Sequence, residues 1–297
     1  MDHRKCKVAA LGYFVLEVSD LPRWENLTVN VLGLQVGRRK EGEYLALRMD
    51  RYENRLILTQ GPKDDVKAFG WEVHCEEDLD IIAKRIAAAG LPIVEASADE
   101  AADRFVRRLF RCEDYDGNQV ELVYAPRVTN RPFLSSVVEH GFVTGQLGLG
   151  HYVHVTKKDQ ERTLYFYREL LGLSIVDHVR QKFNDSFTAD VAFMGCNARH
   201  HTVAAFEFPA VEKQVHHIMI EVNDMQDMGR MHDRCRAEGY PMMMSIGMHP
   251  NSHAQSFYIK SPSGFGFEVS WGGVLVGKDW TVREYDVLDS WGHHYEP

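Results

Sequence analysis

Short apolar runs rich in β-branched and aromatic residues alternate with polar turns and amphipathic stretches along the 297-residue chain. The run Leu11-Gly12-Tyr13-Phe14-Val15-Leu16-Glu17-Val18 predicts a strand. A polar turn and a helical segment follow, ending in Val31-Leu32-Gly33-Leu34-Gln35-Val36. Leu149-Gly150-His151-Tyr152-Val153-His154-Val155-Thr156 opens the same pattern, which closes on Leu170-Leu171-Gly172-Leu173-Ser174-Ile175. Further on, Phe69-Gly70-Trp71-Glu72-Val73 corresponds to Ile218-Met219-Ile220-Glu221-Val222. Each precedes a periodic helix, Leu79 to Ala89 and Met225 to Ala237, closed by a glycine at the C-cap with proline two residues later. Gly117-Asn118-Gln119-Val120-Glu121-Leu122 likewise parallels Gly264-Phe265-Gly266-Phe267-Glu268-Val269.

Four correspondences in one order make an internal duplication. Each copy reads as strand, helix and several strands, twice over. This predicts an α+β fold of two tandem domains, each of paired β-α-β-β-β modules. The expected domains are 1–135, 146–275 and a terminal tail, 276–297, whose aromatics Trp280, Tyr285 and Trp291 should pack it onto the fold. The stretch Pro126 to Gly145 is the expected linker.

Charge and composition exclude some functions. There are 34 basic against 43 acidic residues and no dense basic block, so neither a nucleic-acid nor an anionic-membrane partner is expected. No apolar run reaches about 18 residues, and the N-terminal run lacks a signal cleavage site. Five scattered cysteines without a CxxC fit a reduced, cytoplasmic protein.

Histidine is distributed unevenly: three of the 15 precede residue 151 and the other twelve begin with it. Aligning the copies sets His151 opposite Tyr13, His217 opposite Ala68 and Glu268 opposite Glu121. Only the second copy therefore carries two imidazoles and a carboxylate at these positions. That set suits an iron(II) ion with open coordination positions and is a poor match to closed structural zinc. Of the neighbours His216 and His217, strand alternation lets only one ligate; the repeat register selects His217 and turns His216 away. Cys196 has no placed base, the glycines at 145–150 make no GxGxxG, and the three methionines 242–244 read as core or pocket wall. His293-His294 reads as a surface pair.

The run Gly247-Met248-His249, seven residues, Phe257-Tyr258-Ile259-Lys260-Ser261-Pro262-Ser263-Gly264, then Phe265-Gly266-Phe267-Glu268, resembles the signature of type I extradiol ring-cleavage dioxygenases. These belong to the vicinal-oxygen-chelate superfamily, and the chain is most similar to their biphenyl-2,3-diol branch. The resemblance extends through Cys196-Asn197-Ala198-Arg199-His200-His201, His216-His217 and the Trp291-Gly292-His293 ending. It implies His151, His217 and Glu268 as ligands of Fe(II), with Mn(II) as the alternative ion. It further implies His201 as the acid/base residue beside the O2 position, and His249 and Tyr258 as hydrogen-bond partners of the substrate oxygens. Asn251 would be a polar residue behind the substrate, and Phe193 would line the aromatic pocket. Ser252 replaces an aspartate common in this branch, so a weaker charge network behind His249 is expected.

The function so implied is O2-dependent extradiol cleavage of a 3-aryl or polycyclic catechol such as 2,3-dihydroxybiphenyl, by a homo-oligomer, in aromatic catabolism. The competing readings are cleavage of an alkylcatechol or 1,2-dihydroxynaphthalene, a non-oxygenase metal enzyme on the same fold, and an aromatic-binding module.

Overall fold

The computed structural model describes residues 6–208 and 211–296. Two mixed sheets form the body of the fold. The first comprises β1 (Val8–Val18), β2 (Gln35–Lys40), β3 (Tyr44–Arg48), β4 (Leu56–Gln60), β5 (Asp65–Val73), β6 (Ile93–Glu95), β7 (Arg108–Glu113) and β8 (Gln119–Tyr124). The second comprises β9 (Gly150–Thr156), β10 (Ser174–Asn184), β11 (Phe187–Gly195), β12 (Val203–Glu207), β13 (Val215–Val222), β14 (Met242–Met248), β15 (Gln255–Lys260), β16 (Gly266–Trp271) and β17 (Arg283–Tyr285).

Their strand orders, β2-β3-β4-β1-β5-β8-β7-β6 and β14-β15-β16-β13-β9-β12-β11-β10-β17, are one topology repeated, with β17 added at an edge. In each sheet a central antiparallel pair, β1–β5 or β9–β13, is flanked by parallel partners, β4 and β8 or β12 and β16. The expected β-α-β-β-β module therefore occurs four times.

Helix α1 (Leu21–Glu25) follows β1 and widens into a π-helical turn over Asn26–Val31; α4 (Gln160–Tyr165) widens likewise over Phe166–Leu170. Both turns end at a Leu-Gly-Leu phrase, where Gly33 and Gly172 take φ of +76° and +84°. A side chain is disfavoured there, so the matching phrases mark a shared stop. Helix α2 (Glu76–Ala88) begins three residues before the sequence expectation, and α5 (Met225–Ala237) coincides with it.

The two halves share one core. Phe69 stacks on Tyr152 with ring centroids 4.3 Å apart, while Phe14 and Trp71 meet Tyr152 edge-on. Trp24 packs on Phe265 and Phe267 and donates to Ser263 Oγ at 2.8 Å. Removing each ring from water contributes roughly 2–3 kcal/mol.

The expected linker is not a free connector: Val138 and Phe142 are buried in that core, and residues 128 and 142 make isolated bridges to Tyr52 and Val222. The tail packs back through backbone pairing and through two of its three expected aromatics: Trp280 donates to the Val176 carbonyl at 3.1 Å and meets the His200 ring, and Tyr285 packs on the cluster around Val179 and Phe193. β17 joins β10, and Met248 and Ser245 donate to the carbonyls of Trp291 and His294. Trp291 and Tyr295 themselves stay largely exposed. Among the described residues no helix is long and apolar enough to cross a membrane.

Candidate metal centre

Strand register places the site. Met219 on β13 pairs with His151 on β9 and with Glu268 on β16. His217, two residues before Met219, shares its face. The three side chains converge: His151 Nε2 and His217 Nε2 lie 3.4 Å apart, and each is 3.2 Å from Glu268 Oε2. Their donor atoms have metal-ligand spacing.

Burial lowers His151 to about 4 against the attraction of Glu268, so its imidazole is neutral at pH 7. Burial favours a protonated Glu268, but the adjoining His151 and His217 imidazoles outweigh it and hold the carboxyl well below the usual range. Glu268 Oε2 nevertheless has no well-formed hydrogen bond. A buried carboxylate oxygen without a hydrogen-bond partner, beside imidazole lone pairs, is costly unless a cation sits among them. The donor set fits a divalent metal with open coordination positions.

The first copy shows the alternative solution. Tyr13, Gly70 and Glu121 occupy the register positions of His151, Met219 and Glu268, and Ala68 that of His217. There Arg104 grips Glu121 through Nε and Nη2 at 2.9 and 3.0 Å, and the Tyr13 hydroxyl donates to Oε2 at 2.5 Å. The same buried carboxylate is thus neutralised by a guanidinium.

The remaining expected residues surround the triad. His201 lies over His151 with ring centroids 4.0 Å apart, and Phe193 on β11 meets His201 edge-on at 4.9 Å. Burial lowers His201 well below its ordinary value. Tyr258 on β15 lies 5.0 Å from the His217 ring, and its hydroxyl is 2.7 Å from His249 Nε2. Burial and then the charge of Glu268 keep that hydroxyl protonated. Asn251 is buried, with its Nδ2 unpartnered. A cavity of about 230 Å³ adjoins the centre, walled in part by His151, His201, Met219 and Leu275.

Three expectations need correction. His216 does not turn away from His217: a β-bulge between Val215 and His217 breaks the alternation, and the Nδ1 atoms of the pair are 2.8 Å apart. With Nε2 of His217 aimed at the centre, its Nδ1–H donates to His216 and fixes the ring. His293 is not a surface residue; its side chain is buried against Asp289 and Ser256. Ser252 gives His249 no carboxylate, but the network is not thereby weak. Asp289 Oδ1 approaches His249 Nδ1 to 3.1 Å; although burial opposes it, this contact and Glu268 raise the pKa of His249.

Sequence reasoning also missed a chain behind His201. His200 Nε2 is 2.8 Å from the fully buried Asp177 Oδ2, and its Nδ1 is 3.0 Å from His201 Nδ1. Donation to Asp177 leaves His200 Nδ1 as acceptor, so His201 donates from Nδ1 and keeps Nε2 as its free basic nitrogen. Cys196 is no nucleophile, since burial raises its thiol to about 11.

With this geometry in view, the model of the Glyoxalase/Bleomycin resistance protein/Dioxygenase superfamily matches residues 148–269, and that of Dihydroxybiphenyl dioxygenase BphC D1 matches residues 11–61. A 3-methylcatechol 2,3-dioxygenase of Pseudomonas putida is 36% identical over 97% of this chain and 98% of its own. A biphenyl-2,3-diol 1,2-dioxygenase of Paraburkholderia xenovorans is 34% identical over 96% and 95%. The chain belongs to the extradiol ring-cleavage dioxygenases. A solved catechol 2,3-dioxygenase superposes on this extradiol enzyme with a TM-score of 0.92 at 35% identity, covering 98% of this chain and 96% of that one. Family membership and the buried His-His-Glu set together make it a metal-dependent oxygenase.

Proposed function

We propose that this enzyme uses Fe(II), held by His151, His217 and Glu268, to cleave a 3-aryl or polycyclic catechol such as 2,3-dihydroxybiphenyl beside its hydroxylated carbons. The observation that carries the reading is the convergence of two imidazoles on the unbonded Oε2 of Glu268. Mn(II) suits the same donors and is the alternative ion. An iron ion held by these three residues would supply Lewis acidity toward a diol and redox chemistry toward O2.

The protein's own groups handle protons and placement. His249 Nε2 accepts from Tyr258, and a diol hydroxyl that displaced the Tyr258 hydroxyl from this contact could deliver its proton to that nitrogen. His201 Nε2, backed by His200 and Asp177, is the acid/base atom on the other side of the triad. The edge of Phe193 and the amide of Asn251 would bound the substrate's ring and oxygens. The biphenyl-2,3-diol dioxygenases among the relatives support an aryl substrate, while the 3-methylcatechol and 1,2-dihydroxynaphthalene dioxygenases support the two alternatives.

Residues 1–135 form the metal-free unit in this reading, 146–275 the catalytic unit and 276–297 a tail that completes it. The Arg104–Glu121 pair supports the first assignment. Five free cysteines suit the cytoplasm, and a homo-oligomer belongs to the same proposal.

Anaerobic loading with Fe(II) or Mn(II), followed by oxygen uptake on a panel of catechols, tests the metal, the reaction and the substrate. The expected result is oxygen consumption with a ring-opened product, and the highest kcat/KM on 2,3-dihydroxybiphenyl. Tight aromatic binding without oxygen uptake would make the protein a binding module. Oxygen-independent isomerisation would make it a glyoxalase-like enzyme.

A further inference from the structure

The C-terminal tail brings an acidic side chain, one that the ligand set does not use, up behind His249. Leu288–Glu296 runs beside β14, held by Met248 N to Trp291 O at 3.0 Å, Ser290 N to Met248 O at 2.7 Å and Ser245 N to His294 O at 3.0 Å. Gly247 and Gly292 permit this approach. A Cβ on Gly247 would stand 2.4 Å from the His293 nitrogen, and one on Gly292 2.2 Å from the Ile246 oxygen. The segment turns its polar groups inward. His249 Nδ1 lies 2.8 Å from the Leu288 carbonyl oxygen and 3.1 Å from Asp289 Oδ1. His293 Nδ1 lies 2.5 Å from the same Asp289 oxygen, and His293 Nε2 is 3.1 Å from Ser256 Oγ.

Both groups facing His249 Nδ1 only accept, so that nitrogen carries the hydrogen and Nε2 is turned towards Tyr258. Ser252, on the loop beside His249, accepts from Ala254 N through its own Oγ and gives His249 nothing. We propose that Asp289 is a positioning residue of the reaction, the carboxylate that fixes the ring and tautomer of His249 from the C-terminal tail, with His293 holding Asp289 in turn. The inference rests on the catechol-cleaving reading above. It makes the tail part of the active site as well as a covering for an exposed sheet edge.

Asp289→Asn and Asp289→Ala, each alone and combined with His249→Ala, test it in the metal-loaded full chain. Metal content at the His-His-Glu site and thermal midpoint should stay close to those of the parent. With His249 present, kcat/KM for the diol should fall about 10- to 50-fold, because the Leu288 carbonyl still supports the tautomer. With His249 already removed, the same change at Asp289 should cost less than about twofold. His293→Gln should give a smaller loss in the same direction. An equal loss in both backgrounds, or none in the parent, overturns the proposal. So does a second equivalent of metal that Asp289→Ala releases, since His249, Asp289 and His293 also have metal-ligand spacing. If the parent enzyme itself consumes no oxygen on any catechol, the underlying function fails instead.

Discussion

Single nitrogen atoms separate ligands from their supports. His217 and His216 touch through Nδ1, but only His217 turns Nε2 to the centre. His217→Ala should release the metal, whereas His216→Ala should keep it at about 10- to 100-fold weaker affinity, as expected when the partner of a ligating imidazole is lost. Elemental analysis after dialysis against graded chelator distinguishes the two, and equal retention would mean that the bulge does not select the ligand. His201 answers a different assay. His201→Ala should retain metal and bind catechol anaerobically, yet slow the oxygen-dependent step by about 10²–10⁴. Single-turnover oxidation of the preformed complex measures this; a near-normal rate there with a large loss in His249→Ala would transfer the acid role to His249.

One strand position is used in two ways by the paired sheets. On β16 the carboxylate of Glu268 is left for a metal, while on β8 that of Glu121 is closed by Arg104 and Tyr13. Arg104→Met should therefore leave turnover per bound metal unchanged and destabilise the first sheet by about 3 kcal/mol, because the buried Glu121 keeps only the Tyr13 hydroxyl and the more distant Arg111. Denaturant unfolding followed by tryptophan fluorescence reads the loss, since Trp24 and Trp71 lie in that half. Tyr13→Phe should change turnover little. Loss of metal in either variant would show that the first copy contributes to the centre. The repeat made this comparison legible from residues alone, but the guanidinium was not: Arg104 follows helix α3 (Ala98–Asp103), 17 residues before Glu121, with no motif linking them.

Across the whole molecule the halves meet through polar groups as well as rings. His154 of β9 is fully buried, and its Nε2 is 2.8 Å from Asp116 Oδ2 of the first half, which also accepts from Thr163. Burial opposes the shift, but these hydrogen bonds bring Asp116 down to about 2. A carboxyl whose folded pKa lies below its unfolded value, about 3.9, adds stability that is complete above that pH and disappears as pH falls towards 2. For this half-buried group the contribution is about 1 kcal/mol after allowance for solvent screening. Thermal melts from pH 6 to pH 2 should show a steeper acid-side decline for the parent than for Asp116→Asn, and parallel curves would remove Asp116 from the interface energetics. Because both halves contribute to one core, they should melt in a single transition.

Properties carried by local pattern were readable without coordinates. Alternating apolar runs, glycine stops and a fourfold recurrence defined the modules, because backbone preference and strand periodicity act over a few neighbouring residues. The repeat register also placed His151, His217 and Glu268 on equivalent strands. The strand pairing that brings their nitrogen and oxygen atoms within 3.4 Å, however, joins segments 51 to 117 residues apart. The supports are less legible still. His216 stays beside His217 because of a bulge, and alternation alone predicts the opposite. Asp177, His200 and Asp289 act through partners that fit no spacing rule, since a hydrogen bond between distant segments depends on where two strands pack and not on what lies between them in the chain. The sequence determined which groups could bind a metal; packing decided which groups hold them in place.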